Sequence, residues 1–355
     1  MIKVTVKAST SYDVRIGSGL IRQAGETIKD LHIKAKTVAI VTDETVRDLY
    51  LETVTKSLKQ AELEPQAYVI PPGEASKSGT TYLALLEWLV EKQITRSDCL
   101  LALGGGVAGD LTGFVAATYL RGTPYIQVPT TLLAMADSSV GGKTAINLEA
   151  GKNLAGAFYQ PSCVLCDTAV LDTLPKEIFH EGIAEIVKYG MLGNARLLDQ
   201  LLNEPLTGNL DHIIAACVTM KRDIVERDEF DKGERQLLNF GHTVGHAIER
   251  QSGFQISHGH AVAIGMRIET AAAVKQDACP QECLYMLENL LRHFDLPIQT
   301  DYSPGELFEA ALHDKKRTGD EVTVVVPYAL GKCRLKQIPV KELRNWIEMG
   351  LELCV

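Results

Sequence analysis

Four of the nine histidines fall in one short stretch, Gly241-His242-Thr243-Val244-Gly245-His246 followed by Ser257-His258-Gly259-His260. His242 and His246 are spaced i, i+4 and share one face of a helix. A cluster of neutral imidazoles suits Zn²⁺ or a similar borderline cation. A catalytic zinc takes three protein ligands and keeps one position open, so a carboxylate from elsewhere would complete the set. Glu185, in Ala184-Glu185-Ile186-Val187-Lys188-Tyr189, is a candidate, with Lys188 at i+3 on the same helical face. The HExxH arrangement of zinc proteases is absent. Lys221, Arg235 and Asn239 precede the histidines, with Arg235 and Asn239 at i, i+4. Each alone reads as readily as a surface group, but cations near a metal suggest a carboxylate or phosphate on the substrate.

Two glycine-rich segments add to this. Gly104-Gly105-Gly106-Val107-Ala108-Gly109-Asp110 follows an apolar strand and enters a helix. Glycines let a backbone approach a phosphate closely, and a helix N-terminus favours negative charge. The segment contains GxGxxG but sits on a late βα unit, with no acidic residue about 20 positions on. A tight structural turn is the competing reading. The second segment, from Asp137 through Gly142-Lys143-Thr144 to Gly151-Lys152-Asn153, ends one stretch in GGKT. It is not a P-loop, because Asp137 stands where the first glycine is required. It reads as a loop bearing a carboxylate and lysines, suited to a phosphorylated or polyhydroxylated ligand, or simply solvated.

The elements that must position these residues divide the chain near Pro175. Before it, strands (Lys3–Lys7, Asp13–Ile16, Thr37–Val41, Gln66–Ile70, Cys99–Leu103, Pro124–Val128, Val164–Cys166) are separated by helical stretches such as Leu20–Leu31, Glu44–Gln60 and Tyr82–Glu91. That alternation predicts a parallel sheet covered on both faces. After it, apolar residues recur at helical spacing from about Lys176 to Lys275 and again at Gln281–His293 and Pro304–His313, with one β-like stretch at Val322–Val326. The expected architecture is an α/β Rossmann-like domain (1–175) and a mostly helical metal- and substrate-binding domain (176–355). The 355-residue length also favours two cores over one.

Composition narrows the function classes. A net charge of −9 and a pI near 5.6, without a basic stripe, argue against nucleic acid. Uncharged stretches fall short of the ~18 residues of a membrane span, and the N-terminal MIKVTVKAST lacks a signal core. Eight cysteines are too dilute for a disulfide scaffold. Cys163-x-x-Cys166 could be a redox or half-zinc pair, but it reads better as a strand whose odd spacing sends the two thiols to opposite faces. A reduced, cytoplasmic protein is expected.

Taken together, GGGVAGDLTGF (104–114), YLRGTPYIQVPTTLLAMADSSVGGKTAIN (119–147), GKNLAGAFYQP (151–161), AEIVKYG (184–190), LLNFGHTVGHAIE (237–249) and HGHAVAIGM (258–266) resemble the 3-dehydroquinate synthase family over nearly the whole chain. The resemblance implies a metal site of Glu185, His242 and His258, usually holding Zn²⁺, with Co²⁺ a second candidate. It implies NAD⁺ held by Asp43, Glu74, Lys77, Gly105, Gly106, Val107, Asp110, Thr130, Thr131, Lys143, Lys152 and Thr173. Around the substrate it sets Asp137, Lys143, Lys188, Asn239 and His246 as catalytic groups, and Lys152, Asn153, Lys221, Arg235 and one of Lys315 and Lys316 as binding groups. Arg121 looks like the residue that the family lends across a homodimer interface. His260 departs from the family, which often has Glu there. The implied reaction converts 3-deoxy-D-arabino-heptulosonate 7-phosphate to 3-dehydroquinate and phosphate, in the shikimate pathway. The alternatives are a related sugar-phosphate cyclase acting on sedoheptulose 7-phosphate or glucose 6-phosphate, and an inactive NAD-binding relative. A polyol dehydrogenase fits the lysine-rich segment poorly.

Overall fold

A computed structural model describes residues 1–312, 317–318 and 320–352. The chain forms two compact units: Met1–Pro175 with Leu210–Glu229, and Lys176–Asn209 with the chain from Phe230 onward. The sequence reading put everything after Pro175 in one domain. The helix Leu210–Arg227 instead joins the first unit, held there by directional bonds. Lys7 N donates to Glu226 Oε1 at 2.7 Å, and Ser9 donates to Glu229 through N (2.8 Å) and Oγ (2.6 Å). Helical periodicity carries no information about which sheet a helix packs on.

The first unit is built on a seven-stranded sheet. Its strands are β1 (Ile2–Lys7), β2 (Ser11–Gly17), β3 (Thr37–Asp43), β4 (Glu64–Ile70), β5 (Cys99–Gly104), β6 (Tyr125–Pro129) and, after the hairpin β7 (Lys143–Leu148) and β8 (Gly151–Phe158), β9 (Cys163–Asp167). The order is β1-β2-β9-β6-β5-β3-β4, with β1 antiparallel to β2 and the other pairs parallel. All of β5 is buried, as a strand covered on both faces must be. Leu85 and Leu89 of the helix Gly79–Glu91 and Leu111 and Val115 of the helix Gly106–Thr118 fill one core cluster with Ala39, Val41 and Leu100. From β3 the chain passes to β4 on one side and then returns to β5 on the other. That reversal leaves a crevice at the carboxyl ends of β3 and β5, the usual ligand position in open α/β sheets.

The segment from Lys143 to Phe158, expected as a loop, is an antiparallel hairpin. Thr144 and Ile146 are buried and their neighbours less so, the alternation of a half-covered strand. Cover comes from the helix Gly106–Thr118, which lies so close that a Cβ on Gly113 would be 2.4 Å from Thr144 Cγ2. Glycine-rich sequence hides a strand whose stability comes from such packing.

The second unit contains the helices Lys176–Gly193, Ala195–Asn203, His242–Gln251, His258–Lys275, Gln281–His293, Pro304–Ala311 and Val340–Glu352. The single expected β stretch is the middle of a three-stranded antiparallel sheet, Arg317–Thr318, Glu321–Ala329 and Lys332–Pro339. Lys332–Pro339 alternates charged with other residues and escaped the reading because only its partner strand reveals it. Among the described residues no helix is long and apolar enough to cross a membrane. Cys163 and Cys166 are buried thiols on β9, and burial pushes both up, Cys163 to about 11.

Asp98 sets the start of the two strands that frame the crevice. Its carboxylate accepts from Lys36 N (3.0 Å), Thr37 N (2.8 Å), Thr95 N (2.8 Å) and Thr95 Oγ1 (2.6 Å). Burial opposes its charge, but these bonds outweigh burial and hold its pKa below the ordinary 3.8. Asp98→Ala is expected to cost about 2–3 kcal/mol in chemical denaturation at neutral pH. With a depressed folded pKa, the contribution is full above 3.8 and fades as pH falls through the folded value. The difference between parent and variant should therefore shrink in acid; a pH-independent difference would rule the carboxylate out as its source.

Candidate metal centre and nucleotide crevice

Three helices of the second unit bring one carboxylate and two imidazoles together. Glu185 lies mid-way along Lys176–Gly193 and is fully buried, His242 opens His242–Gln251, and His258 opens His258–Lys275. Their ligand atoms all lie within 4.8 Å of one another. His258 Nε2 is 3.3 Å and His242 Nε2 3.6 Å from Glu185 Oε1. The opposite nitrogen of each ring is also engaged. His242 Nδ1 lies 3.0 Å from the Phe240 carbonyl, and His258 Nδ1 lies 3.2 Å from Glu249 Oε2. A carbonyl and an ionised carboxylate only accept, so each Nδ1 carries a proton, and each Nε2, which faces Glu185, is the nitrogen that would give its lone pair to a bound cation on losing its own proton. Two imidazoles and a carboxylate are a fitting donor set for Zn²⁺ with a position left for substrate. Burial opposes charge on His258, but its bonds to Glu185 and Glu249 prevail and raise its pKa to about 10. The same two carboxylates would attract a divalent cation.

The spacing of these helices is set by glycine. A Cβ on Gly265 would sit 2.0 Å from Gly241 O, and one on Gly241, which has a φ of 76°, would sit 2.6 Å from Met266 N. A Cβ on Gly259 would be 2.4 Å from Glu181 O, one turn before Glu185. The three ligand-bearing helices thus meet backbone to backbone, with no room for a methyl group. Glu269, fully buried, accepts from Gly241 N at 3.1 Å and steadies the turn into His242.

The other expected residues of this unit border the set. Lys188, buried, pairs with Glu185 Oε2. His246 lies with its ring 5.4 Å from that of His242 and 6.0 Å from that of His258. His260 belongs to no donor set among the described residues; burial and the nearby His180 charge lower its pKa. Arg235 is buried and Asn239 half-buried, both on the 3₁₀ turn Glu234–Asn239. With about three residues per turn, Arg235 aligns with buried Leu238, so the i, i+4 spacing of Arg235 and Asn239 is not that of an α-helix.

Lys221 belongs to the first unit, where its Nζ donates to Asp137 O (2.7 Å) and Oδ1 (2.6 Å). In the crevice of that unit, Asp43 ends β3 and accepts from Val46 N at 3.0 Å. Gly105 caps the helix Gly106–Thr118, and Thr130 N donates to Gly104 O at 3.0 Å. A Cβ on Gly105 would lie 3.1 Å from Thr131 Cγ2, so the absence of a side chain keeps the helix N-terminus open. Val107 packs against the sheet core.

Residues that the resemblance assigns separately to cofactor and substrate form one network. Lys77, buried, pairs with Asp110 and donates to Asn153 Oδ1 at 2.6 Å. Asn153 N donates to Asn147 Oδ1 (2.9 Å), and Asn147 Nδ2 donates to Glu74 Oε1 (2.7 Å). Burial raises the Asp110 carboxyl against the pull of Lys77. Sequence reasoning missed Asn147, although it stands in a quoted motif, and Glu249 and Glu269, whose partners lie on other helices. Lys143 is exposed at the start of β7 and Lys152 half-buried on β8. Thr173 is exposed, its hydroxyl bonded to the Tyr50 hydroxyl and to Val170 O (3.1 Å). Arg121 is exposed in a turn where it and Leu120 both adopt positive φ, 66° and 50°, a strain that clusters at functional sites. Lys315 and Lys316 lie outside the described residues.

Gly265→Ala should force the His242 and His258 helices apart. The expected result is a loss of about 3 kcal/mol in stability together with weakened Zn²⁺ binding, measured by denaturation and by competition with a chelator. Unchanged metal affinity would show that the glycine contact does not set the ligand geometry.

Residues 67–181 match the family description "3-dehydroquinate synthase N-terminal" and residues 182–317 "3-dehydroquinate synthase C-terminal". The chain is 44% identical over 353 residues to the 3-dehydroquinate synthase of Enterococcus faecalis, covering 98% of each. It is also similar to the solved structure of a 2-deoxy-scyllo-inosose synthase complexed with carbaglucose-6-phosphate, NAD⁺ and Co²⁺ (TM-score 0.88, 26% identity, 99% and 100% of the two chains). A 2-epi-5-epi-valiolone synthase from Streptomyces hygroscopicus, solved with NAD⁺ and Zn²⁺, gives a TM-score of 0.87 at 26% identity over 99% of each chain. On full-length identity and both domain matches, the chain belongs to the 3-dehydroquinate synthase family.

Proposed function

We propose that the chain converts 3-deoxy-D-arabino-heptulosonate 7-phosphate to 3-dehydroquinate and phosphate, as a carbon–oxygen lyase of aromatic amino acid biosynthesis. The observation that carries this reading is the Glu185–His242–His258 donor set with both Nδ1 atoms engaged, in a chain whose full-length relatives are named 3-dehydroquinate synthases. Bound NAD⁺ supplies reversible hydride acceptance at the C5 carbinol, and the bound cation supplies a Lewis acid for the substrate's hydroxyl oxygens.

The chain's own residues do the rest. Gly105 and Gly106 offer backbone N–H groups to the cofactor pyrophosphate, and Asp43, an acceptor at the end of β3, suits a ribose hydroxyl. The Glu74–Asn147–Asn153–Lys77–Asp110 network couples the cofactor-binding turn to the β7–β8 hairpin. Lys143, Lys152 and Asn153 on that hairpin hold phosphate oxygens, and Lys221 orients Asp137. Lys188, Arg235 and Asn239 hold the substrate's carboxylate and hydroxyls, a task that buried cations perform with strength because water is excluded. A ketone at C5 acidifies the C6 proton, so the departing phosphate can accept that proton itself. His246 is then the side chain placed to exchange a proton with the phosphate or the ring oxygens. Arg121 reaches the phosphate of a second copy in a cytoplasmic homodimer.

Purified chain given the heptulosonate phosphate, NAD⁺ and Zn²⁺ should release phosphate with no net accumulation of NADH. Turnover of sedoheptulose 7-phosphate or glucose 6-phosphate, with none of the heptulosonate, would overturn the assignment. Zn²⁺ at about 100 times its Kd should add about 2.7 kcal/mol to the stability of the chain. His258→Ala should lose both that increment and the bound metal; full retention would mean that another residue is the ligand.

A further inference from the structure

The helix His242–Gln251 supplies a metal ligand at its first residue and a carboxylate two turns later. Glu249 follows His242 by seven residues, so both side chains leave the same face of the helix. The Glu249 side chain is only 4% exposed, and its Oε2 lies 3.2 Å from His258 Nδ1. Its backbone closes the turn that leads to His258: Glu249 O accepts from Phe254 N at 2.8 Å and from Ser252 Oγ at 2.8 Å, and Ser252 Oγ in turn accepts from Ile256 N at 3.1 Å. The two imidazoles are therefore oriented by different means. His242 is turned by the Phe240 carbonyl, which no side-chain substitution removes, whereas His258 is turned by a single carboxylate.

We infer that Glu249 is a positioning residue of the metal centre: it takes the Nδ1 hydrogen of His258, fixes the ring's tautomer and rotation, and keeps Nε2 directed at the cation held with Glu185 and His242. The inference rests on the metal-centre reading above. An ionised carboxylate behind an imidazole also makes the ring a stronger donor, which a carbonyl does less well. Glu249 also belongs, with His246 and His258, to an overlapping donor set whose atoms lie within 4.8 Å of one another. With Nδ1 of His258 bound to Glu249 and carrying a hydrogen, that set offers a second cation no lone pair on this nitrogen, which favours the positioning role.

The test uses the full-length chain, stripped of metal and titrated with Zn²⁺ against a chromophoric chelator, with the Co²⁺ form read by visible absorption. Glu249→Ala is expected to weaken Zn²⁺ binding about 10–100-fold and to shift the Co²⁺ bands. Glu249→Gln, close to isosteric and still offering an acceptor oxygen, should fall between parent and Glu249→Ala; it carries the test alone if the alanine variant does not fold. Zn²⁺ affinity and Co²⁺ bands equal to those of the parent in the variants that fold would overturn the inference. So would two ions per parent chain falling to one in Glu249→Ala, because Glu249 would then be a ligand. Unchanged Zn²⁺ affinity in His258→Ala would instead overturn the metal-centre reading itself.

Discussion

A fully buried carboxylate organises the second unit. An ionised Glu185 with no access to water is costly unless charge and hydrogen-bond donors surround it. Lys188 meets one oxygen, and the Nε2 atoms of His242 and His258 face the other. To deliver those imidazoles, two further helices must begin beside the helix of Glu185, and they do so only because Gly241, Gly259 and Gly265 let backbones touch. Glu249 and Glu269 are buried for the same reason, each accepting a hydrogen from a group that holds the ligands in place. The helical unit is thus packed around a polar centre, and its apolar residues fill the space outside it.

The first unit solves a different problem. A parallel sheet leaves its strand ends and helix N-termini facing the same way, and the reversal between β3 and β5 opens a crevice there. Asp43, Gly105, Thr130 and Thr131 gather at it because they end or follow adjacent strands. The β7–β8 hairpin adds a polar layer. Lys77 bonds to both Asp110 and Asn153, so the residue proposed for cofactor and the residue proposed for phosphate share one buried cation.

Residue type and spacing alone carried the metal chemistry: four clustered histidines, a carboxylate with a lysine one turn on, and helical periodicity around them. They also carried the alternation of strands and helices in the first half of the chain and the helical run after it. Which histidines form a donor set with Glu185 was legible only through family resemblance, since His246 and His260 have the same side chain as His242 and His258. Tertiary structure brings His242 and His258 to Glu185, a residue of a separate helix.

The sequence by itself determined what is local: strand and helix periodicity, the glycine turn, and the presence of the candidate catalytic side chains. Only the tertiary structure decided what depends on partners. It moved the helix of Lys221 into the first unit through bonds to the N-terminal strands and Asp137. It turned an apparent loop into a hairpin by laying Thr144 against Gly113, and it replaced an α-helical spacing of Arg235 and Asn239 with a 3₁₀ turn. In each case the deciding energy is a packing or hydrogen-bond contact with a distant segment, which neither periodicity nor residue type records.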